Sequence, residues 1–243
     1  MNRIVVITGA SAGLGLSLAE KFLDSRDIVY GISRTRKNWL QAIKRLRKPR
    51  NFHLMQSDLR QEANAKRVIS RIFRKTRRID VLINSAGYAN RPTRFEKESL
   101  AELRENISSN LVSTFLMCKA ALPIFKKQNR GWMINVSSMA GKRAVPFLAA
   151  YSASKFGVMA LTQSIMKENP QSQFKCITVC PGGMNTKMRA KLFGAQDAKR
   201  QQSPDFVANK IMEVIEGKID VPSGGDIVIR HGTVTSINPP PPA

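Results

Sequence analysis

The feature that most constrains the fold is a regular alternation of short apolar runs with helix-length amphipathic stretches. Each run is too short for a stable helix and is rich in the aliphatic residues typical of a buried strand. The runs lie at Ile4–Thr8, Ile28–Ser33, Phe52–Gln56, Val81–Asn84, Trp132–Val136, 176–180 and Asp226–Arg230. Strands that alternate with helices pair in parallel. The sequence therefore predicts a Rossmann-like α/β fold, with a doubly wound, mostly parallel sheet and helices on both faces, in a single domain.

The stretches between the runs predict the helices. We expect helices at 16–25, 39–48 and 61–75, a long helix capped by Ser99, a helix that contains Tyr151, and a last helix from Ser203-Pro204 to about residue 216. The domain is expected to span residues 1–235. The tail 236–243 reads SINPPPPA, and its prolines cannot continue a helix or a strand, so this tail is predicted to be disordered.

The chain is strongly basic, with 40 Lys and Arg against 17 Asp and Glu and a net charge of +23. Between Arg34 and Arg78 the only acidic residues are Asp58 and Glu62. Such a surface attracts nucleic acid or acidic partners. However, the basic residues are interleaved with a helical apolar pattern, and no aromatic stacking platform accompanies them. A solvated basic surface is the favoured interpretation, and nucleic acid is not an expected partner.

Membrane, export and metal signals are absent from the sequence. We find no apolar run of membrane-spanning length and no signal peptide, so no membrane span is expected. The cysteines, Cys118, Cys176 and Cys180, lack metal-ligand spacing, and the histidines, His53 and His231, lie far apart. We therefore predict a cytoplasmic protein with reduced thiols and no metal site.

A glycine turn joins the first strand to the first helix. Gly9, Gly13 and Gly15 permit a tight turn and a close approach of pyrophosphate to the helix N-terminus, where free N–H groups favour anions. The spacing is G-x-x-x-G-x-G rather than the commoner G-x-G-x-x-G. A plain strand–turn–helix connection is the alternative, but the position at the first crossover favours dinucleotide binding.

A second motif places three polar side chains together. Tyr151 and Lys155 are four residues apart in a helix-compatible segment, so they share a helix face, and Ser138 follows the strand Trp132–Val136. A cation beside a phenol stabilises the phenolate and is expected to lower the pKa of Tyr151. A tyrosine in that setting is a usable general acid or base. A solvated helix face produces the same Tyr–Lys spacing easily.

These motifs, taken in order, resemble the short-chain dehydrogenase/reductase family. The resemblance rests on T-G-A-S-A-G-L-G at 8–15, N-S-A-G at 84–87, Asn110, Ser138, Y-S-A-S-K at 151–155, and Pro181-Gly182 with Thr186. It covers nearly the whole chain. Ser85 is a mild departure from the family pattern, which usually has a second asparagine or a similar small polar residue there, and the C-terminal end does not resemble the family's glycine-ending tail.

The resemblance implies a role for each matching residue. Ser138 would hold the substrate oxygen, Tyr151 would transfer the proton, Lys155 would bind the nicotinamide ribose, and Asn110 would fix a water in a proton relay. Asn106, one turn earlier, is a rival for the last role. The residues implied to bind the cofactor are Gly9, Ser11, Gly13, Leu14, Gly15, Asp58, Leu59, Asn84, Ala86, Gly87, Tyr151, Lys155, Pro181, Gly182 and Thr186. For Asp58 and Asn84, strand-end capping is the alternative.

The end of the second strand predicts which cofactor is bound. In a doubly wound sheet this position faces the adenosine ribose, where an acidic side chain selects NAD and an arginine accommodates the 2′-phosphate of NADP. Here the strand ends in Ser33-Arg34, and no Asp or Glu occurs in 28–48. Ser33 and Ser11 add hydroxyl groups. We predict that NADP(H) is preferred over NAD(H), unless Arg34 simply points to solvent.

The predicted function is that of an NADPH-dependent oxidoreductase, with hydride transfer between nicotinamide and a carbonyl or secondary alcohol. A catalytically silent, dinucleotide-bound regulatory or nucleic-acid-binding module is the alternative. A related epimerase is another, although only about sixty residues follow the sixth strand, too few for the usual added substrate domain. The paired interface helices of the family imply a homodimer or homotetramer.

The substrate is not specified beyond a small-molecule carbonyl or alcohol, because the expected lid at 186–203 is the family's variable region. Basic residues near the expected mouth suggest an anionic or carrier-linked substrate, although a solvated basic surface explains them equally well. They are Lys142, Arg143, Lys187, Arg189 and Lys191.

Overall fold

The structure, a computed structural model, describes residues 2–47 and 49–242 and contains one eight-stranded sheet. The strands are β1 Ile4–Thr8, β2 Ile28–Ser33, β3 Phe52–Gln56, β4 Val81–Asn84, β5 Trp132–Val136, β6 Lys175–Pro181, β7 Asp226–Arg230 and β8 Thr233–Asn238. Their spatial order is β3-β2-β1-β4-β5-β6-β7-β8. All neighbours pair in parallel except β7 and β8. The predicted doubly wound, mostly parallel sheet is confirmed.

The helices cover both faces of this sheet. They are α1 Gly13–Asp24, α2 Trp39–Arg45, α3 Glu62–Thr76, α4 Leu100–Asn106, α5 Ser113–Gln128, α6 Ala149–Lys167, α7 Lys187–Phe193, α8 Ala195–Lys199 and α9 Pro204–Ile215. The predicted caps at Ser99 and Ser203 are confirmed, since each hydroxyl accepts a hydrogen bond from the backbone N–H three residues later. The helix predicted at 39–48 ends at Arg45, and its predicted last residue, Lys48, lies outside the described residues.

The alternation of side chains along each strand builds two cores. On β1, Val5 and Ile7 face one side of the sheet and join a cluster with Phe22 of α1. Ile4 and Val6 face the other side and join a cluster with Phe125 of α5. A strand that is buried on both faces reads as a continuous apolar run, which is the pattern that the sequence shows for β1.

The long helix predicted from Ser99 is interrupted. A π-helical segment, Ile107–Val112, separates α4 from α5 and carries the buried Asn110. By length and composition alone, Leu100–Gln128 is also long and apolar enough to cross a membrane, which the sequence analysis did not expect. Core helices of soluble proteins meet the same criterion, and here α5 packs its apolar face against the sheet through residues such as Met117 and Phe125.

The C-terminal end of the described chain forms a strand where the sequence predicted a disordered tail. Residues 236–238, predicted as part of a disordered tail, belong to β8, which pairs antiparallel with β7. His231 and Gly232 form the two-residue turn between these strands, and both have positive φ, 52° and 71°. Such a turn matches the twist of a hairpin. The prolines that follow Asn238 led the prediction to place the boundary before Ser236. Ala243 lies outside the described residues.

Candidate active site

The site lies at the carboxyl ends of the parallel strands, where the chain order reverses between β1 and β4. Open α/β sheets bind ligands at this switch point. Three neighbouring cavities follow this edge: an outer cavity of about 240 Å³ near Arg34, a middle cavity of about 280 Å³ at the glycine turn, and an inner cavity of about 190 Å³ beside Ser138. Gly87 lines both the outer and the middle cavities, and Tyr151 lines both the middle and the inner ones, so the three form one cleft.

The glycine turn brings backbone close to the middle cavity. A Cβ atom on Gly9 would lie 2.9 Å from the Ala86 Cα, and Gly9 has φ +72°, so this position requires glycine. Gly9, Ser11, Gly13 and Leu14 line the cavity as predicted. Gly15 does not line it, because the position of its Cβ would lie 2.5 Å from the Gly9 carbonyl oxygen and the residue is packed beneath the turn.

The N-terminus of α1 points into this cavity without competition from side chains. Its cap residue, Ala12, makes no side-chain capping bond, and the first turn holds no acidic residue. The free N–H groups are therefore available to an anion, which is the arrangement that a pyrophosphate requires. Thr186 closes the cavity from the opposite side, with its Cγ2 3.5 Å from the Cβ position of Gly13.

The outer cavity contains the predicted Ser33, Arg34, Asp58 and Leu59, together with Arg60, which sequence reasoning missed. The Ser11 and Ser33 hydroxyls lie 3.1 Å apart. Arg60 donates to both carboxylate oxygens of Asp58, at 2.9 Å from Nε to Oδ1 and 2.6 Å from Nη2 to Oδ2. This hydrogen bonding holds the pKa of Asp58 below its usual value.

Glu105 of α4 joins the two arginines of the outer cavity. Its carboxylate accepts from Arg34 Nη1 at 3.1 Å and from Arg60 Nη1 at 2.9 Å. Arg34 therefore does not simply point to solvent, although its side chain is half exposed. No local pattern reveals this contact, because Glu105 is 71 residues from Arg34 in the chain.

Ser138, Tyr151 and Lys155 meet where the middle and inner cavities join. Ser138 follows β5 and caps a single turn of 3₁₀ helix by accepting from the Ala140 N–H at 3.1 Å. Tyr151 lies in the first turn of α6, with Lys155 one turn later. The Lys155 Nζ donates to the Val136 carbonyl oxygen at 2.9 Å and lies 5.8 Å from the centre of the Tyr151 ring.

The expected lowering of the Tyr151 pKa is not found in this structure. Burial raises the pKa of Tyr151, and a hydrogen bond with Ser138 only partly opposes that shift. The physical reason is that a phenolate loses its hydration when it is buried, whereas the Lys155 ammonium is directed at a backbone carbonyl. Burial also lowers the pKa of Lys155 to about 8, because its charged form is the one that loses hydration.

Asn110 lies beside Lys155, but the hydrogen bonds of its side chain connect two parts of the protein. Its Nδ2 donates to the Tyr88 carbonyl oxygen at 2.9 Å and to Ser154 Oγ at 2.8 Å, and its Oδ1 accepts from the Tyr88 N–H at 2.8 Å. These bonds tie the loop after β4 to α6. Asn106 instead bonds Asn90 and the Glu102 carbonyl oxygen. The relay role of Asn110 stays a prediction.

Besides Gly15, three predicted cofactor residues do not line the middle or outer cavities. Asn84 lines none of the three cavities, and its side chain is buried between β4 and β5, where Nδ2 donates to Asn135 Oδ1 at 2.8 Å. Ala86, Gly87 and the unpredicted Ser85 line the cleft in its place. Pro181 and Gly182 line the inner cavity and not the middle or outer ones.

A family model described as short chain dehydrogenase matches residues 3–197, which is most of the chain. The chain belongs to the short-chain dehydrogenase family. The predicted family membership is thus confirmed. The family is one of oxidoreductases.

Curated relatives of this short-chain dehydrogenase include several reductases. A 3-ketodihydrosphingosine reductase of Bacteroides thetaiotaomicron is 31% identical over 184 residues, which cover 76% of this chain and 65% of the relative. The ketoacyl reductase HetN of Nostoc is 29% identical, over 96% of this chain and 80% of that protein. An NADPH-dependent pterin aldehyde reductase of Arabidopsis thaliana is 25% identical, over 93% of each chain.

Solved structures show the same fold. The structure of ElxO with NADP bound superposes with a TM-score of 0.85 at 24% identity, over 94% of this chain and 97% of ElxO. Levodione reductase superposes with a TM-score of 0.86 at 21% identity, over 95% of this chain and 96% of that one.

The depressed pKa of Lys155 predicts how the stability of this short-chain dehydrogenase depends on pH. Lys155 releases its proton near pH 8 in the folded state and near 10.5 in the unfolded state. Between these values only the unfolded state holds the proton, so this group adds stability as the pH rises. From pH 7 to pH 10, the free energy of unfolding of the wild type should rise by about 2 kcal/mol relative to that of Lys155→Met.

Urea unfolding of both proteins across this pH range, without cofactor, measures the difference. Taking the difference removes the contributions of other titrating groups, since both proteins share them. A difference that stays constant with pH would show that Lys155 titrates near its ordinary value.

Most of the basic residues expected to attract an anionic substrate are already paired. Lys142 Nζ contacts Asp226 Oδ1 at 2.8 Å, Lys187 Nζ donates to Gln41 Oε1 at 2.8 Å, and Arg189 is bound to Asp197. Arg143 has no ion pair or side-chain hydrogen bond within residues 2–47 and 49–242. The segment 186–203, which we name the lid after its predicted role, contains α7 and α8, joined at Gly194.

Proposed function

We propose that this short-chain dehydrogenase is an NADPH-dependent oxidoreductase that interconverts a carbonyl group and a secondary alcohol. The observation that carries the proposal is the meeting of Tyr151, Lys155 and Ser138 at the junction of two cavities, one suited to a dinucleotide and one to a substrate. A silent dinucleotide-binding module has no need for this set. The reductase names of the curated relatives support the same conclusion.

The residues that line the cleft fit a dinucleotide. The free N–H groups of α1 suit the pyrophosphate, and the glycine at position 9 lets it approach the backbone. The middle cavity would hold the nicotinamide ribose near Lys155, and the outer cavity would hold the adenosine. When it is bound, the reduced cofactor supplies the hydride. ElxO with NADP bound is a solved example of such a complex in this fold.

The outer cavity supports a preference for NADPH. Arg34 and Arg60 both reach it, and a guanidinium group binds a phosphate through charge-assisted, bidentate hydrogen bonds. Asp58 and Glu105 together balance the charges of the two arginines, so a 2′-phosphate would bind by taking the place of the Glu105 carboxylate at the guanidinium groups. The name of one relative, the NADPH-dependent pterin aldehyde reductase, supports the use of NADPH.

The proton chemistry follows from the inner cavity. A tyrosine hydroxyl is protonated at neutral pH, and burial raises the pKa of Tyr151 further, so we assign Tyr151 as the general acid when a carbonyl is reduced. Ser138 Oγ donates a hydrogen bond to the same substrate oxygen and holds it against the tyrosine. Lys155, whose ammonium donates to the Val136 carbonyl oxygen in this structure, would bind the ribose hydroxyls of the cofactor.

A direct assay tests this function. The purified protein is titrated with NADPH and NADH by ligand fluorescence, and then a panel of ketones, diones and aldehydes is screened for oxidation of the reduced cofactor. We expect tighter binding of NADPH and turnover of at least one class of carbonyl. A protein that binds either cofactor but turns over no carbonyl or alcohol would favour the silent module.

We also propose that the protein self-associates into a homodimer or homotetramer. Phe115 on α5 and Phe156 on α6 are 44% and 45% exposed, which is unusual for phenylalanine side chains. A second copy of this chain would cover them. Light scattering coupled to size exclusion measures the state, and a monomer at micromolar concentration would contradict the proposal. Cytoplasmic location stays a prediction.

A further inference from the structure

A fourth cavity, which we name the basic cavity, adjoins the inner cavity. It has a volume of about 610 Å³ and shares Met139, Gly182, Gly183 and Arg189 with the inner cavity. Its basic lining residues are Arg143, Arg189, Arg200, Arg230 and His231. No Asp or Glu lies among the described residues that line it.

Separate segments of the chain bring these residues together. Arg143 lies just after the 3₁₀ turn that Ser138 caps, and Arg200 lies directly after α8 of the lid. Arg230 and His231 come from the β7–β8 hairpin, the element that the sequence analysis missed. The cavity is therefore a product of the lid and the hairpin.

Two glycines form the boundary between the basic cavity and the inner cavity. A Cβ atom on Gly182 would lie 2.7 Å from the Arg230 Cβ, and one on Gly183 would lie 2.1 Å from Gln201 Oε1. The hairpin approaches Gly182 closely, and the flexible side chain of Gln201 occupies the space beside Gly183. A ligand in the basic cavity would lie next to one held by Ser138 and Tyr151.

The positive charge of the basic cavity is largely uncompensated. Asp197 pairs with Arg189 and also interacts electrostatically with Arg200, which leaves Arg143 and Arg230 without a carboxylate partner in the described chain. Arg230 Nη2 lies 2.9 Å from His231 Nε2. A group of guanidinium forks without carboxylates matches the oxygens of a phosphate.

We propose that the basic cavity binds the phosphate group of a phosphorylated, small-molecule carbonyl substrate, whose carbonyl lies in the inner cavity against Ser138 and Tyr151. This inference rests on the proposed function. The volume is within the roughly 300–1,000 Å³ of small-molecule sites and exceeds the need of a lone phosphate ion. The cavity therefore accommodates the phosphate together with part of the organic portion of the substrate.

The first test measures anion binding without turnover. Pyrophosphate is the probe, titrated calorimetrically into protein that is saturated with NADPH, so that the cofactor's own phosphate sites are filled. We expect wild type to bind pyrophosphate and Arg143→Ser/Arg230→Ser to bind it at least tenfold more weakly. The single variant Arg143→Ser, which removes a side chain without partners, should show a smaller loss if the double variant does not fold.

The matched control is Arg71→Ser, which removes an exposed arginine of α3 on another part of the surface. We expect it to bind pyrophosphate as the wild type does. An equal loss in this control would mean that the overall charge of +23, and not the basic cavity, attracts the anion, and the proposal would be wrong.

The second test compares 4-hydroxy-2-butanone with its phosphate ester. The ratio of their kcat/KM values should favour the ester at least tenfold in wild type, and the ratio should fall in the double variant. A ratio near one, with pyrophosphate binding unchanged by the substitutions, would overturn the basic cavity as a substrate site but leave the reductase function intact. Loss of pyrophosphate binding in the double variant, in a protein that reduces no carbonyl, would support the anion site and overturn the proposed function alone.

Discussion

Replacing Tyr151 with phenylalanine should lower kcat/KM for the best carbonyl substrate by a factor on the order of 10² or more. The substitution removes the hydroxyl that we propose as the general acid and keeps the ring that lines both the middle and the inner cavities. Cofactor binding should persist, because Lys155 and the glycine turn are unchanged. Steady-state kinetics and a fluorescence titration with NADPH measure the two effects separately.

Tyr30→Phe is the matched control. Tyr30 is a buried tyrosine on β2, where its ring packs against His53 with centroids 4.9 Å apart. The Tyr30→Phe protein should retain the turnover of the wild type.

Lys155→Met should both lower turnover and weaken NADPH binding, since Lys155 lines the middle cavity beside Tyr151. A Tyr151→Phe protein with nearly unchanged turnover would contradict the assignment of the general acid.

Replacing Arg34 with aspartate should abolish or reverse the preference for NADPH. The wild type is expected to favour NADPH by roughly 1.5–3 kcal/mol, the range for hydrogen bonds to charged groups. The new carboxylate would repel the 2′-phosphate and accept hydrogen bonds from the ribose hydroxyls of NADH. The maximal rate with saturating cofactor should change much less, because Arg34 lies in the outer cavity, away from Tyr151.

Because Glu105 pairs with Arg34, a substitution of Glu105 should have the opposite effect on NADPH binding to that of Arg34→Asp. Glu105→Gln removes a negative charge from the outer cavity and frees both arginines, so it should tighten NADPH binding and leave NADH binding nearly unchanged. Measuring the dissociation constants of NADPH and NADH for the wild type, Arg34→Asp and Glu105→Gln tests both expected changes in cofactor preference. Tighter binding of NADH than NADPH to the wild type would show that the end of β2 does not select the cofactor.

Local periodicity was sufficient for most of the secondary structure and for the motif residues. The continuous apolar run of β1 predicts burial on both sheet faces, and the structure shows it. The four-residue spacing of Tyr151 and Lys155 places them on one helix face in any helix, so their proximity follows from the sequence alone. The alternation at 233–237 and the His-Gly turn favour the hairpin, but the four prolines that follow Asn238 favour a disordered tail. The two local signals conflict, and the tail prediction was wrong for 236–238.

Only the tertiary structure decided the environment of each site residue. The direction of the Tyr151 pKa depends on how deeply the fold buries the ring, and helical spacing carries no information on burial. The pairing of the arginines in the outer cavity depends on Glu105, which comes from a helix far from Arg34 in the chain. The basic cavity is lined by arginines from the lid, the hairpin and the loop after β5. No local sequence pattern predicts that these three segments lie side by side.

The physical reason is the range of the interactions. The pitch of a helix and the pleat of a strand repeat every few residues, so short windows of sequence determine which side chains share a face. Hydration and charge act through space and depend on distances between segments that the chain joins only through the packed core. The sequence of this protein therefore determined its elements and its motif residues, and the packing of those elements decided which charges are paired and which stay available to a ligand.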